Sequence, residues 1–532
     1  MKVKRKFPRS SGVLMPLPAL HGPFGIGVMG AEAMEFIDFL SRSGFHAWQV
    51  LPLEQASMYC SSPYSCLSAF AGEPMLIDPR LLLTVGLITE EELSDRMYGM
   101  NDSDIEYENV RVKQQRMLRK AFSRRYDDSY KEYNPFWLDE YALFISLKHY
   151  NDLAAWYQWE DEGLRSHDEK ALKEYRDANG EDIEYHKFVQ WLFYIQWQNL
   201  RRYAAGKGIS IIGDMPIYIA DDSAEVWSRR ELFESDADGN FTAIGGVPPD
   251  YFSPDGQRWG NPIYNWDLMK KDKYRWWIDR LRTSLERYDV VRLDHFRGFE
   301  SYWRIPGGAK TAKKGKWTKG PGLSLFKALE RSLGKLSLSV IAEDLGIIGR
   351  DVVKLISDTG FRCMRVLQFG FDDEGVHMPH NFPEESVAYT GTHDNTTLLA
   401  WLFSLSDHER EKVLFYTDFQ GDWRTGGPNC GFIKSWMHTL FMTRSSIVIV
   451  PIQDLLGYGA DTRINTPGTP SGNWRFRIRE GVLYEIDAGF YDALHKIYQR
   501  EDPLKSYKPR PEKKKTSMKV EYERSDDQQY SG

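Results

Sequence analysis

Eight short apolar runs, most ending abruptly in polar or charged residues, set the rhythm of the chain. In order they are Ser11–Met15, Phe45–Pro52, Gly208–Asp214, Val290–Asp294, Ser339–Asp344, Met364–Phe369, the run from Ser386 to Asp394, and Ser445–Val450. Short runs rich in Val and Ile with no alternation read as strands buried on both faces, the kind found in parallel sheets. Segments of helical period lie between them. Glu32–Arg42 places Ala33, Phe36, Ile37 and Leu40 on one stripe, and Gly44 follows as its stop. Lys271–Tyr288 and Ser324–Leu333 are further helices of this kind. Eight strands alternating with helices predict an α/β fold, a (β/α)8 TIM barrel. In that fold the carboxyl ends of all eight strands share one face, and that face carries the active site.

The chain has 532 residues, against about 250 for a plain barrel, so insertions are expected. Residues 1–80 start the barrel with strands 1 and 2. The Pro/Gly-rich stretch Pro16–Gly27 and the small-residue loop Ser61–Gly72 both belong to its active face. Charged, helix-forming segments dominate residues 81–205: 90–97, 105–124, 136–159, 167–176 and 182–205. They predict a largely helical insertion between strands 2 and 3. His149 and His186 fall within it and read as ordinary helix residues. Residues 206–500 complete the barrel, with a loop insertion at 221–266. Turn formers saturate Gly245–Tyr264, yet Tyr251, Phe252, Trp259 and Tyr264 interleave them. Such a loop is either a cover over the barrel mouth or a self-packed surface loop. Gly307–Gly322 is basic and glycine-rich, lacks the phosphate-loop pattern, and receives no role from the sequence. Residues 501–532 form a polar tail expected to be disordered from about Tyr507 onward.

Composition changes this picture little. A net charge of −7 argues against a nucleic-acid partner. Aromatics make up 14% of the chain, with 17 Trp and 29 Tyr, which suits stacking on sugar rings but equally a large core. The cysteines at 60, 66, 363 and 430 form no CxxC or zinc spacing and read as free thiols in a reducing compartment. The basic start, MKVKRKFP, is followed by no apolar h-region, and no run approaches a membrane span. The expectation is a cytoplasmic protein with no membrane partner, no metal and no cofactor.

The candidate chemistry lies where the strands end. Arg292 and Asp294 are two apart, so on a strand they share a face, and the guanidinium holds the carboxylate ionised. Asp214, Glu343 with Asp344, and Asp394 are delivered at corresponding strand ends. Carboxylates converging on one face push their pKa values apart, so that one serves as nucleophile or base and another as acid. That is the equipment of glycoside chemistry or, less often, of a divalent metal site. A structural ion pair at the barrel rim remains open from this stretch alone.

Ordered blocks from about residue 9 to 480 resemble the amylomaltases, the 4-α-glucanotransferases or disproportionating enzymes of the α-amylase clan. They include Trp48–Pro52, Ser62-Pro-Tyr64, Ser68–Gly72, Gly213–Tyr218, Pro248–Ser253 and Gly256–Pro262. Arg292–His295, Ala342–Gly346, Gly391–Asn395, Gln453–Gly457, Arg463–Thr469 and Gly472–Trp474 complete the set. The resemblance implies a retaining hexosyltransferase acting on maltooligosaccharides and α-1,4-glucans as donor and acceptor. It implies Asp294 as nucleophile, Glu343 as general acid and then base, and Asp394 as the carboxylate gripping the sugar 2- and 3-hydroxyls. It further implies that Arg292 keeps Asp294 ionised, that His295 and His393 donate to sugar hydroxyls, and that Asp214 supports the reacting sugar's subsite. Tyr64 would line the donor groove; Tyr251 and Trp259 would belong to a lid over the acceptor sites; Asp250 and Asn465 would bind substrate. Ser65 stands where relatives often carry Gln, at the outer groove. A barrel without a preceding starch-binding module, as a monomer or small homo-oligomer, is expected. An α-amylase-like hydrolase and a catalytically dead glycan-binding barrel are the two competing readings.

Overall fold

A computed structural model describes residues 8–57, 61–96, 104–236, 240–249, 254–371, 375–469 and 471–504. The eight apolar runs form one parallel sheet: β1 Ser10–Leu14, β2 Ala47–Gln49, β3 Ser210–Met215, β4 Val290–Leu293, β5 Val340–Ala342, β6 Cys363–Val366, β7 Ser386–Tyr389 and β8 Ile447–Pro451. The hydrogen-bonded order is β6-β7-β8-β1-β2-β3-β4-β5. Closure comes from a parallel bridge between Ile341 and Arg362, where Ala342 N–H donates to the Arg362 carbonyl at 2.8 Å. The result is the closed (β/α)8 barrel. Seven of the eight strands are buried at every position, β6 admitting some exposure at Arg365, which is why the runs show no alternation. The run at 364–369 is shorter than its apolar content suggests, because the chain turns into a 3-10 segment at Leu367–Phe369.

Register decides what meets at the rim. Asp214 pairs with Arg292 and Leu293 with Ala342, so Asp294 and Glu343 leave adjacent strands side by side. Close approach of β3 to its covering helix needs Gly213, where a Cβ would lie 2.1 Å from the Tyr288 ring. The stripe at Ala31–Arg42 packs Ala33, Phe36, Ile37 and Leu40 at full burial, and Gly44 ends it at φ +77°.

Between β2 and β3 the chain is helical, at Glu90–Arg96, Tyr107–Ser123, Leu138–Tyr150 and Glu169–Gly206. The helix foreseen over 136–159 stops at Tyr150, because Asp152 and Leu153 take left-handed backbone. The two helices foreseen at 167–176 and 182–205 run end to end over Glu169–Gly206, separated only by a kink at Asn179, where the backbone is non-helical at φ −121° and ψ 23°. Among the described residues no helix is long and apolar enough to cross a membrane.

The stretches expected to be loops at 221–266 and 307–322 are not structureless. Ala243–Val247, Gln257–Pro262, Ser301–Pro306 and Lys316–Lys319 form a four-stranded antiparallel sheet, with the 257–262 and 316–319 strands at its edges. Its glycines hide it from a reading of local pattern. A Cβ on Gly246 would meet the Gln257 carbonyl at 2.1 Å, so the strand depends on having no side chain there. Ile244, Ile305 and Ala312 give this sheet a small core of its own.

Candidate active site

Asp214 and Arg292 lie buried side by side on β3 and β4, with Arg292 Nη1 donating to Asp214 Oδ2 at 2.6 Å. The other arm of the guanidinium, Nη2, stands 3.0 Å from Asp294 Oδ1. One buried cation thus bridges two carboxylates, a fork that suits arginine and not lysine. Burial raises the Asp214 pKa while Arg292 opposes the rise.

Glu343 follows β5 directly. Its Oε2 accepts from the His295 N–H at 2.7 Å and its Oε1 from the Leu345 N–H at 2.7 Å. Those two donors and Arg292 favour the ionised carboxylate, but burial and then the charge of Asp294 outweigh them and push its pKa up to about 8. Near neutrality this carboxyl therefore carries its proton. His295, at φ 46°, turns the chain sharply after the nucleophile candidate. Burial lowers its imidazole to about 4, so the ring is neutral.

Loops from distant parts of the chain complete the site. The Tyr64 hydroxyl donates to Asp214 Oδ2 at 2.8 Å, and its ring stacks on His393 at 5.1 Å. His393 Nε2 is 3.5 Å from Asp394 Oδ1. Asn465 Nδ2 donates to that same oxygen at 2.6 Å, while Arg463 Nη2 donates to the Asp394 carbonyl at 2.5 Å. Asp394 keeps its side chain 46% exposed, facing the open mouth. Trp259, on the edge strand of the small sheet, meets His295 edge-on at 4.9 Å between ring centroids. A continuous chain of contacts therefore joins Asn465, Asp394, His393, Tyr64, Asp214, Arg292 and Asp294, and a second joins Glu343, His295 and Trp259. Asp250 and Tyr251, also implied by the resemblance, lie outside the described residues, as do Cys60 and the tail from 505.

Sequence reasoning missed three members. Trp474 packs 5.8 Å from Tyr64 and 5.9 Å from His393, at a left-handed φ of 65°. It stood in a recognised block, Gly472–Trp474, without a role. Arg463 fixes the Asp394 backbone, and the Tyr218 ring backs Trp259 at 6.3 Å. His149 and His186 stack on each other at 5.5 Å inside the helical region; burial and then the neighbouring His186 bring His149 down to about 4. Cys363 and Cys430 are buried thiols. Asp344, beside Glu343, is not part of the catalytic face: it accepts from the Met364 N–H at 2.7 Å and from Arg365 at 3.1 Å.

A carboxylate paired with a buried guanidinium, beside a protonated carboxyl and with a third at the mouth, is the equipment for displacement at a sugar carbon through a covalent ester. Comparison with known proteins agrees. A family model described as 4-alpha-glucanotransferase matches residues 15–483. The 4-alpha-glucanotransferase of Streptococcus pneumoniae is 42% identical over 503 residues, spanning 92% of this chain and 97% of that protein. The 4-alpha-glucanotransferase of Thermus thermophilus is 41% identical over 493 residues, 90% of this chain and 96% of that protein. The amylomaltase from Streptococcus agalactiae, solved in complex with acarbose, superposes with a TM-score of 0.88 at 38% identity, covering 93% of this chain and all of that one.

Proposed function

The chain belongs to the 4-alpha-glucanotransferase family and is a 4-alpha-glucanotransferase; from that premise we propose that Asp294, Glu343 and Asp394 carry the reaction. The observation that supports this reading best is the pairing of Asp294, 3.0 Å from a buried guanidinium, with a Glu343 carboxyl raised to about 8.

In the first step Glu343 gives its proton to the glycosidic oxygen of an α-1,4-glucan, and the Asp294 carboxylate attacks the anomeric carbon. The C–O bond to the leaving segment breaks, and a glycosyl ester of inverted configuration forms on Asp294. Esterification removes the charge on Asp294, which after burial is the next largest cause that raises Glu343. Glu343, now a carboxylate, loses proton affinity and is suited to act as base. It takes the proton of the acceptor's 4-hydroxyl as that oxygen attacks the anomeric carbon. A second inversion restores the α configuration, and Asp294 is freed. Asn465 holds one oxygen of Asp394, leaving the other to grip the sugar's 2- and 3-hydroxyls. His393 and the neutral His295 donate to further hydroxyls, and Tyr64 with Trp474 lines the donor side.

Transfer requires the acceptor to outrun water at about 55 M, and a well-oriented group reaches an effective molarity of about 10⁵ M or more. We assign that orienting surface to Trp259, 37% exposed beside His295 and backed by Tyr218. Trp259→Ala is expected to shift products toward hydrolysis, raising reducing ends per transfer several-fold; an unchanged ratio would refute the assignment. The buried thiols at Cys363 and Cys430 suit a reducing compartment, and we place the enzyme in the cytoplasm.

Incubation with maltotriose tests the whole reading. Glucose together with maltopentaose and longer chains, at constant total reducing ends, is the expected result. Reducing ends that rise while only glucose and maltose accumulate would mean that the acceptor loses to water, and the enzyme would be a hydrolase.

A further inference from the structure

The lysine-rich segment after β4 has no part in the chemistry described above, yet it is built tightly against the catalytic turn. It leaves that turn as the strand Ser301–Pro306 and returns as Lys316–Lys319, with Trp303 opposite Trp317. The return is fastened to the residues just after Asp294. Gly320 N–H donates to the Glu300 carbonyl at 2.7 Å and Gly322 N–H to the Phe299 carbonyl at 2.8 Å, while Lys319 pairs with the Glu300 carboxylate. A Cβ at Gly320 would sit 2.4 Å from the Phe299 oxygen, so this approach tolerates no side chain.

The hairpin ends up holding one side chain. Trp317 lies against the guanidinium of Arg297, whose central carbon stands 3.9 Å from the ring centroid, and Trp303 meets Trp317 at 5.2 Å. Arg297 Nη1 donates to the carbonyl of Ile347. That bond joins two loops. His295 and Leu345 supply the two backbone N–H groups that clamp the Glu343 oxygens, one from each loop. Arg297 lies two residues beyond His295, and Ile347 two beyond Leu345. The arginine therefore ties the two loops together one step behind the clamp. Between Leu345 and Ile347 the chain turns at Gly346, φ +82°, a position with little resistance of its own to rotation.

We propose that Arg297, held under Trp317 by the lysine-rich hairpin, is a positioning residue that fixes the proton-donating carboxyl of Glu343 against the leaving oxygen. The inference rests on the reading of Glu343 as acid and base. Without the tie, the Leu345 side of the clamp swings, and the carboxyl keeps its chemistry but loses its aim. Misplacement by about 1 Å costs about 10²-fold in rate.

Leaving groups of different demand separate positioning from mere structure. Departure of a glucan oxygen needs the proton of Glu343; departure of fluoride from α-maltosyl fluoride needs little proton assistance. Arg297→Ala and Trp317→Ala are compared with the parent enzyme on maltotriose and on first-turnover fluoride release. Arg297→Lys and Trp317→Phe serve as conservative variants, and urea unfolding midpoints show which proteins are folded. The expected result is a loss of kcat of about 10²-fold on maltotriose for Arg297→Ala with KM nearly unchanged. Fluoride release should fall far less, with the same bias but smaller for Trp317→Ala and partial recovery in Arg297→Lys. Equal loss on both donors, or no loss on maltotriose, overturns the proposal. Should Arg297→Ala not fold, the same comparison on Trp317→Ala, Trp317→Phe and Arg297→Lys decides. Glu343→Ala run alongside keeps the premise separate. If it loses equally on both donors, the assignment of Glu343 fails; if it shows the selective loss and the Arg297 and Trp317 variants do not, only the positioning role fails.

Discussion

Asp294→Asn lowers kcat on maltotriose by about 10⁴-fold or more, the scale expected when a covalent nucleophile is removed. The substitution keeps the shape of the side chain and removes its charge and nucleophilicity. Arg292 Nη2, now 3.0 Å from Asp294 Oδ1, can still donate to the amide oxygen, so the fork across Asp214 survives. Glucan affinity measured by calorimetry should therefore change little. A second readout comes from Glu343, whose proton affinity is raised first by burial and then by the charge on Asp294. In the asparagine variant the second cause is gone, and a carboxyl-labelled titration should find Glu343 below its parent value. A variant that retains turnover within tenfold of the parent would exclude Asp294 as nucleophile. A Glu343 titration unmoved by the substitution would show that the two groups do not sense each other.

Glu343→Gln lowers kcat/KM on maltotriose by about 10²–10⁴-fold, the usual contribution of a positioned proton donor. It also removes the basic limb of the pH profile. The sign follows from the protonation state. A carboxyl pushed up to about 8 is protonated below that pH, so the first step runs at full rate near neutrality and is lost as pH rises through about 8. Glutamine has no proton to lose, and the residual rate should be flat across that range. It also presents a donor where Glu343 accepted from the His295 and Leu345 N–H groups, so one of those bonds is broken as well. With α-maltosyl fluoride, first-turnover fluoride release should be largely spared, because the leaving group needs little protonation. A basic limb that persists in Glu343→Gln would assign that ionisation to another group.

The order of strands and the ends at which carboxylates appear are local properties, and the sequence carried them. Runs such as Val340–Ala342 and Ile447–Val450 are continuous and apolar because parallel strands are covered on both faces. Arg292 and Asp294 share a face because side chains alternate along a strand. From these alone the barrel and the strand ends that carry Asp214, Asp294, Glu343 and Asp394 were legible; the choice of three among them came with the family resemblance. The small antiparallel sheet was not. Gly245 and Gly246 carry no hydrophobic period, and their partners lie at Arg304 and Trp303, across the catalytic turn. Composition marked 307–322 as a loop, and only its pairing with 301–306 made part of it a strand.

Tertiary structure also decided the state of the site. Tyr64 reaches Asp214 across 150 residues of chain, and Asn465 reaches Asp394 across 71; no spacing along the sequence announces either bond. Trp474 entered the site because a left-handed turn swings its ring onto Tyr64 and His393. Most of all, the sequence shows that Glu343 is a carboxyl but not that it holds a proton. That depends on how much water the folded barrel excludes and how near Asp294 comes to rest. Desolvation and charge proximity are properties of the assembled rim, and they exist only once β4 and β5 lie side by side.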